Sequence, residues 1–574
     1  MQEKKWVYRN ENYDKNTIIE TAEKLSVSPV ILTLLYNRGI VDTEDMHTFM
    51  TKSLQLIHDP LSMPDMDKAA ERIHKAVENN EKIYIYGDYD VDGITSTAII
   101  YKYLFSHGAD VNYYIPDRVE EGYGINIKAI NKISKTGCKL IITVDCGITS
   151  VGEIELAKAQ GMDVVVTDHH TCKEELPAAT AVVNAKRPDS TYPFSELAGA
   201  GVALKVVLAL ATYFGESPKD VFYKYVMLAA IGTIADVVPL INENRTIVDR
   251  GVAELGMTGS CGIKALLKTA GIKEITAGAI AFGIAPRLNA AGRVDNASGA
   301  VELLLCEDRN RAYELAEALN ADNNRRRAEE KIIFDEAVAM AESNPQIKSA
   351  KVIVLAGKGW HHGVIGIVAS RICEKYYRPT VILSYDDGIA KGSCRSIEGF
   401  NMFDALTYCD ALLDKFGGHA LAAGLTLKED NIDAFRENIN KYASDLIDIS
   451  TLVPEIKIDC RVSPATLTID KIRMLSSMEP FGQSNEEPVF SIHGAKVLTV
   501  MQIGEEKNHL RLQIQKGDST FSCIAFRMGE YYNEIIPGSI ADLAFTPEIN
   551  TYNGKKSVQL RIRDIKIIKS AERK

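Results

Sequence analysis

The stretch DYDVDG, residues 88–93, sets Asp88, Asp90 and Asp92 two apart, directly after the apolar run KIYIYG and before a Gly-led helical pattern. Three like charges that close repel one another unless something positive sits among them, so a cation is the natural partner. The spacing matches positions 1, 3, 5 and 6 of a calcium-binding EF-hand loop. The twelfth position of that loop must be Glu and here it is Ile99, and the segment before the motif reads as strand where an EF-hand needs helix. The calcium reading fails.

Other groups fit the same chemistry. LIITVDCG delivers Asp145 after an apolar run, VVVTDHH delivers Asp168, His169 and His170, and MLAAIGTIADVVPL places Asp236 in an otherwise apolar setting. Each has a bland explanation. An Asp after a strand often caps a helix, adjacent histidines mark a surface turn, and a buried Asp pairs with a backbone N–H or an Arg. Together they put Asp, Asp, His and Asp at successive strand ends, a carboxylate–imidazole mixture suited to manganese or magnesium. There are enough carboxylates to hold two ions about 3.5–4 Å apart, the spacing of two-metal phosphoester hydrolysis.

The elements that must position these groups are legible as alternation. From about residue 82 to 240, short β-branched runs alternate with helical stretches, the pattern of a parallel sheet covered on both faces. Ligands of such sheets gather beyond the carboxyl ends of the strands, where every acidic cluster above falls. Residues 1–75 read as a helical region and 76–300 as the α/β lobe. Residues 301–348 form a helical connector, one long helix or two, and 349–450 a second α/β lobe opening with AKVIVLAGKGW. Over 455–570 five or so strands fit a small OB-like β-barrel.

Composition sets wide bounds. The chain has 574 residues, 46% hydrophobic and 25% charged, enough for several globular domains. No apolar run approaches the ~18 residues of a membrane span, and the N-terminus lacks the apolar core of a signal peptide. The ten cysteines are scattered without a CxxC pair, which fits a reduced, cytoplasmic protein. A net charge of −11 argues against a protein that coats nucleic acid indiscriminately, yet leaves room for a local basic groove.

Several segments suit an anion. In KGSCRSIEGFN, Ser393, Arg395 and Ser396 form a hydroxyl–guanidinium cluster fit for phosphate. FGGHALAAGL puts Gly418 and His419 where backbone N–H groups approach an anion closely, and the Ala/Gly run after them reads as a tightly packed helix. A surface Arg and a plain turn are the respective alternatives. His361 and His362 are tempting as metal ligands. In the barrel, Lys507, His509, Arg511, Lys555, Lys556, Arg561 and Arg563 supply positive charge. Phe521, Phe526 and Tyr552 are there to stack bases or to fill the core.

The set DYDVDG, VDCG, TDHH and IADVVPL resembles the four motifs of the DHH phosphoesterase superfamily. PDRVEEGYGIN, APRLNAAGR, GWHHGVIGIVASRI and FGGHALAAGLTL narrow the likeness to its single-strand-specific exonuclease branch, over roughly residues 40–570. The resemblance implies metal ligation by Asp90, Asp92, Asp145, His169 and Asp236, with Asp92 and Asp145 bridging two Mn2+ or Mg2+ ions and Asp88 close by. His170 would stand beside the scissile phosphate. The second lobe would be a DHH-associated domain whose Ser393, Arg395, Ser396, Gly418 and His419 hold the 5′ end, while Arg118, Arg287, Asn289 and Arg293 face the cleft. The implied activity is stepwise release of 5′-mononucleotides from single-stranded DNA in repair and recombination. The implied setting is a cytoplasmic monomer working with a helicase and a single-strand-binding protein, with no membrane contact. An oligoribonuclease or nucleotide phosphatase would share the chemistry, but such proteins are shorter and have no reason for a barrel after residue 455. A non-catalytic replication scaffold would have lost ligands that this chain keeps.

Overall fold

A computed structural model describes residues 4–9, 14–118, 121–122, 124–294, 297–448 and 452–570. The chain divides into two units, one formed by Met1–Ile57, Pro239–Asp249 and Val453–Lys574, the other by His58–Val238 and Arg250–Leu452. The expectation of a helical region over residues 1–75 is corrected on two counts. Lys5–Tyr8 is a strand, β1, rich in the residues that favour extended backbone, and the chain changes unit after Ile57.

In the larger unit the apolar runs become β2 (Ile83–Gly87), β3 (Val111–Tyr114), β4 (Leu140–Val144), β5 (Asp163–Thr167) and the very short β6 (Ala181–Val183). All pair in parallel, in the order β3-β2-β4-β5-β6. From β2 the chain crosses to β3 on one side and then returns to β4 on the other. The carboxyl ends of β2 and β4, with Gly87 opposite Val144, are therefore the topological switch point. Helices Val91–Ser106 and Gly199–Tyr213 are buried along most of their length against this sheet.

One expectation is corrected here. MLAAIGTIA is not a strand but the end of the 18-residue helix Pro218–Ala235, and Asp236 is its C-cap. A helix buried on nearly every side is apolar throughout, so it loses the periodicity that separates helix from strand.

The connector is a single helix, Arg309–Ser343, capped by Asp308, whose carboxylate accepts from the Arg311 N–H at 2.7 Å. Its C-terminal part joins the core of the second lobe through Ile333, Ala337 and Ala341, and Trp360 Nε1 donates to Glu336 at 2.7 Å. That lobe holds β7 (Ile353–Lys358), β8 (Thr380–Asp386), β9 (Ile389–Arg395), β10 (Lys415–Gly418) and β11 (Ala422–Lys428). Their order is β10-β11-β9-β8-β7, with only β7 and β8 parallel. The Ala/Gly run after His419 is β11 rather than the expected helix. Its period is two, with Ala423, Leu425 and Leu427 buried, and it is paired on both sides by β9 and β10.

In the smaller unit β1 pairs in parallel with β12 (Glu455–Ile458). β13 (Cys460–Arg461), β14 (Phe490–Ile503), β15 (His509–Lys516), β16 (Ser519–Ala525), β17 (Ile540–Tyr552) and β18 (Lys555–Lys569) make the last sheet. The additional β14–β17 pairing closes it into the expected barrel. Ile18, Leu32, Leu35 and Met46 of the N-terminal helices share one core with the barrel strands. Arg245, from the excursion Pro239–Asp249, donates to the Met478 carbonyl at 2.9 Å, and burial pulls its pKa down to about 10. Asp459 ties this unit together. It is 2% exposed and accepts from Arg38 Nε at 3.2 Å and the Val489 N–H at 2.9 Å. Removing it strands a buried guanidinium, so Asp459→Ala costs this unit about 3–5 kcal/mol. Urea unfolding followed by tryptophan emission checks this, because Trp6 reports on the smaller unit and Trp360 on the larger: an earlier Trp6 transition is expected.

Candidate metal centre

The DYDVDG segment folds as strand, tight turn and helix. Asp88 follows β2, and Asp90 caps helix Val91–Ser106, one carboxylate oxygen accepting from the N–H groups of Asp92 at 2.9 Å and Gly93 at 3.1 Å. Gly93 is required by space, since a Cβ there would lie 2.5 Å from the Asp88 carbonyl oxygen. Asp92, on the first turn, accepts from the N–H groups of Gly199 at 2.6 Å and Ala200 at 2.8 Å, so the N-terminus of helix Gly199–Tyr213 holds its carboxylate. Asp145 follows β4 with φ at 60°, a left-handed conformation that non-glycine residues avoid. Val237, directly after Asp236, has φ 60° as well, a costly conformation for a β-branched residue.

These pieces converge. His169 Nε2 lies 3.0 Å from Asp145 Oδ1, 3.7 Å from Asp236 Oδ2 and 3.8 Å from Asp92 Oδ2. Three triads have ligand atoms within 4.8 Å of one another: Asp88, Asp90 and Asp145; Asp92, His169 and Asp236; Asp145, His169 and His170. Asp145 and His169 each belong to two triads, Asp92 to one. Glycines make this crowding possible. A Cβ at Gly199 would meet Asp145 Cβ at 2.8 Å, and one at Gly232 would meet Asp92 Oδ1 at 2.6 Å.

Burial, then mutual repulsion, raises the pKa of Asp88, Asp92, Asp145 and Asp236. Asp88 Oδ1 and both ring nitrogens of His169 are buried without a hydrogen-bond partner. A divalent cation fits this donor set, because it removes the repulsion and uses the buried lone pairs.

Asp168 does a different job, and its role was not legible in the sequence. Fully buried, it accepts from the N–H groups of Ile148 at 2.9 Å, His169 at 2.7 Å and His170 at 3.0 Å. It also bonds His170 Nδ1 at 2.7 Å. Asn184, just past β6, donates to the His170 carbonyl at 2.9 Å and secures the other side of the segment. Burial lowers the pKa of both histidines, but Asp168 and the nearby carboxylates outweigh it at His170, whose pKa is raised, while His169 stays low. The two adjacent imidazoles are thus pushed in opposite directions, although they are neighbours in the chain.

The expected anion-holding residues fall into separate groups. Arg118 lies over the ring of Tyr89, 4.8 Å from its centroid, and its charge acts on both Asp88 and Arg395. Arg395, on β9, donates to Ser393 Oγ at 3.3 Å. Burial depresses its pKa, the charge of Arg118 adds to that, and Arg395 has no ion pair among the described residues. Arg395 pairs in register with Ala422, placing it beside the β10–β11 turn that carries Gly418 and the exposed His419. Gly418 has φ 143°, and a Cβ there would meet the Ala422 carbonyl oxygen at 2.5 Å. The Ser396 hydroxyl is spent locally, donating to the Phe400 carbonyl at 2.7 Å. Arg287 bonds Asn320 and the Gly283 carbonyl on its own helix, with Asn289 half-buried two residues on. The side chain of Arg293 lies outside the described residues. His361 caps helix His362–Tyr376 by accepting from the Gly363 N–H at 3.1 Å.

Family models match three stretches: the DHH family N-terminal domain over residues 82–233, the DHHA1 domain over 349–445 and the RecJ OB domain over 458–564. The single-stranded-DNA-specific exonuclease RecJ of Bacillus subtilis (strain 168) is 40% identical over 555 residues, covering 96% of this chain and 70% of that protein. Its counterpart from Escherichia coli (strain K12) is 34% identical, covering 96% of this chain and 98% of that protein. The crystal structure of RecJ from Thermus thermophilus in complex with Mn2+ superposes with a TM-score of 0.84 at 30% identity, over 99% of this chain and 80% of that one. A crystal structure of exonuclease RecJ bound to manganese matches with a TM-score of 0.60 at 37% identity, over 68% of this chain and 98% of that one. Likeness of this degree, sustained across all three domains, means that the chain belongs to the RecJ family.

Proposed function

We propose that this chain is a metal-dependent exonuclease that removes 5′-mononucleotides from single-stranded DNA in repair and recombination. The observation that carries the reading is the complete carboxylate–imidazole cluster at the switch point, in a chain whose relatives of that description match it over 96% of its length. Asp88, Asp90, Asp92, Asp145, His169 and Asp236 would hold two divalent ions, Mn2+ or Mg2+. The carboxylate-rich set with one neutral imidazole suits either. When bound, such ions activate a water for in-line attack on phosphorus and neutralise the charge that develops there.

The rest of the work falls to the chain. Asp168 orients His170 through Nδ1, and His170 would give a proton to the departing 3′ oxygen and so balance that oxygen's charge. Arg395, desolvated and with no ion pair among the described residues, binds the terminal phosphate with Ser393 and the N–H groups near Gly418. Arg118, between Asp88 and Arg395, holds the phosphate path against the metal-binding residues. The closed barrel gives the strand a second surface, as OB-type barrels do. A helicase that supplies single strands, a single-strand-binding protein, a monomeric state and a cytoplasmic location belong to the same reading and rest on the family alone. No helix among the described residues is long and apolar enough to cross a membrane.

The decisive experiment uses single-stranded DNA labelled at either end, with Mn2+. Mononucleotides should leave from the 5′ end, duplex should resist, and Asp145→Ala should lower the rate at least a thousandfold. Hydrolysis confined to di- to pentanucleotides would instead make the chain an oligonucleotide-clearing enzyme, and strand binding without hydrolysis a scaffold. His170→Asn should lower kcat about a hundredfold with KM within a few-fold, as loss of a general acid does. Gly199→Ala drives a methyl group into Asp145. Calorimetric titration should show Mn2+ affinity at least tenfold weaker, with the far-ultraviolet circular dichroism spectrum unchanged.

A further inference from the structure

The helix that carries Arg287 begins irregularly. Between Ala277–Ala279 and Ala285–Val294 lies a π-helical turn, Ile280–Ile284. Such turns are rare and concentrate at functional sites, because the added residue rotates a side chain out of the packed register. The side chain turned out here is Phe282. It is 87% exposed, more than any other large apolar side chain among the described residues, while Ile280 and Ile284 are buried on either side. A lone apolar group on a surface means little by itself. Its surroundings decide.

Arg287 folds back over this turn. Its Nη1 donates to the Gly283 carbonyl at 2.7 Å and its Nε to Asn320 Oδ1 at 3.0 Å on the long connecting helix. Arg327 follows Asn320 by seven residues, two helical turns, so both lie on the same face of that helix. Within the run Arg325–Arg327, the first two guanidiniums are engaged by Asp322 and Glu330, whereas Arg327 is exposed. After burial, the charge of Arg327 does most to depress the pKa of Arg287, outweighing the opposite influence of Glu317. The charges of Arg287 and Arg327 thus repel each other, on a stretch of chain that also exposes a phenyl ring, and a phosphate bound there would relieve that repulsion.

We propose that Phe282, Arg287 and Arg327 form a track for single-stranded nucleic acid, with Phe282 stacking on one unpaired base and the two arginines holding its flanking phosphates. The choice of ligand rests on the nuclease reading above, and the track deepens it by naming where the strand lies beyond the reacting nucleotide. The opposite end of the same helix touches the cluster, since a Cβ at Gly292 would lie 3.0 Å from the Tyr89 carbonyl oxygen, between Asp88 and Asp90. Ten residues separate Phe282 from Gly292, about 15 Å at the helical rise. The stacked base is therefore several nucleotides from the scissile bond. A duplex, with its bases already stacked, offers Phe282 nothing.

The test is fluorescence anisotropy of a twenty-nucleotide oligo-dT strand with the full chain in EDTA, which prevents hydrolysis. Phe282→Ala should weaken binding about tenfold, and Phe282→Trp should restore it. Arg327→Ala should reduce the slope of log affinity against log salt by about 0.7, one phosphate contact on a single strand. Affinity of Phe282→Ala within twofold of the parent would overturn the track and leave the nuclease reading standing. So would a Phe282→Trp variant that is folded yet as weak as Phe282→Ala. Failure of the parent chain to bind the strand at all would remove the nuclease reading, and the track with it.

Discussion

Asp88, Asp92 and Asp145 are each no more than 3% exposed, and they stand together at the carboxyl ends of two adjacent strands. Burying carboxylates side by side is among the least favourable arrangements a fold can make, because each loses its hydration and feels the others through a poorly screening medium. Much of the larger unit serves to hold that arrangement. The amino end of helix Gly199–Tyr213 supports Asp92, glycines 199 and 232 let two helices close over the carboxylates, and Asp145 is kept in a backbone conformation it would not choose. A site built this way stores a demand for positive charge, which a pair of divalent ions meets.

The opposite demand is built around it. Arg395 is desolvated with no ion pair among the described residues, Arg118 acts on it as a like charge, and Arg287 is pressed by Arg327. Buried carboxylates that lack a cation, with Arg118 acting on both Asp88 and Arg395, suit a phosphodiester that carries its metals. Simple pairing of the two sets would have cancelled both. The fold forestalls this by rooting the carboxylates at strand ends and carrying the arginines on other elements, so neither can collapse onto the other.

Rigid connections keep these groups in place. The 35-residue helix Arg309–Ser343 enters the core of the second lobe and is fastened there through Trp360 and Glu336, while Asn320, farther towards its start, holds Arg287. The adjacent histidines show the same economy on a smaller scale. One buried carboxylate, Asp168, fixes the backbone of both and the ring of only the second, and that difference gives two neighbouring imidazoles different surroundings.

How much of this is legible in the chain follows from the range of each interaction. The parallel sheet, the barrel and the acidic strand ends can be read because β-branched runs, their turns and the two-residue spacing of Asp88, Asp90 and Asp92 are local patterns. Sequence pattern misplaces Asp236 onto a strand because the end of a helix buried on nearly every side carries no periodic signal, and it reads β11 as a helix because the local helix preference of Ala is overridden there by pairing with β9 and β10. Nothing local marks Gly199 as the donor to Asp92, 107 positions away, or Phe282 as a side chain turned out by an irregular turn. Which carboxylates, imidazoles and guanidiniums exist, and which strand ends most of them follow, is written in the order of residues. Which of them meet, how deeply they are buried and therefore which hold a proton is settled in three dimensions, because desolvation and distance arise from contacts between segments far apart in the chain.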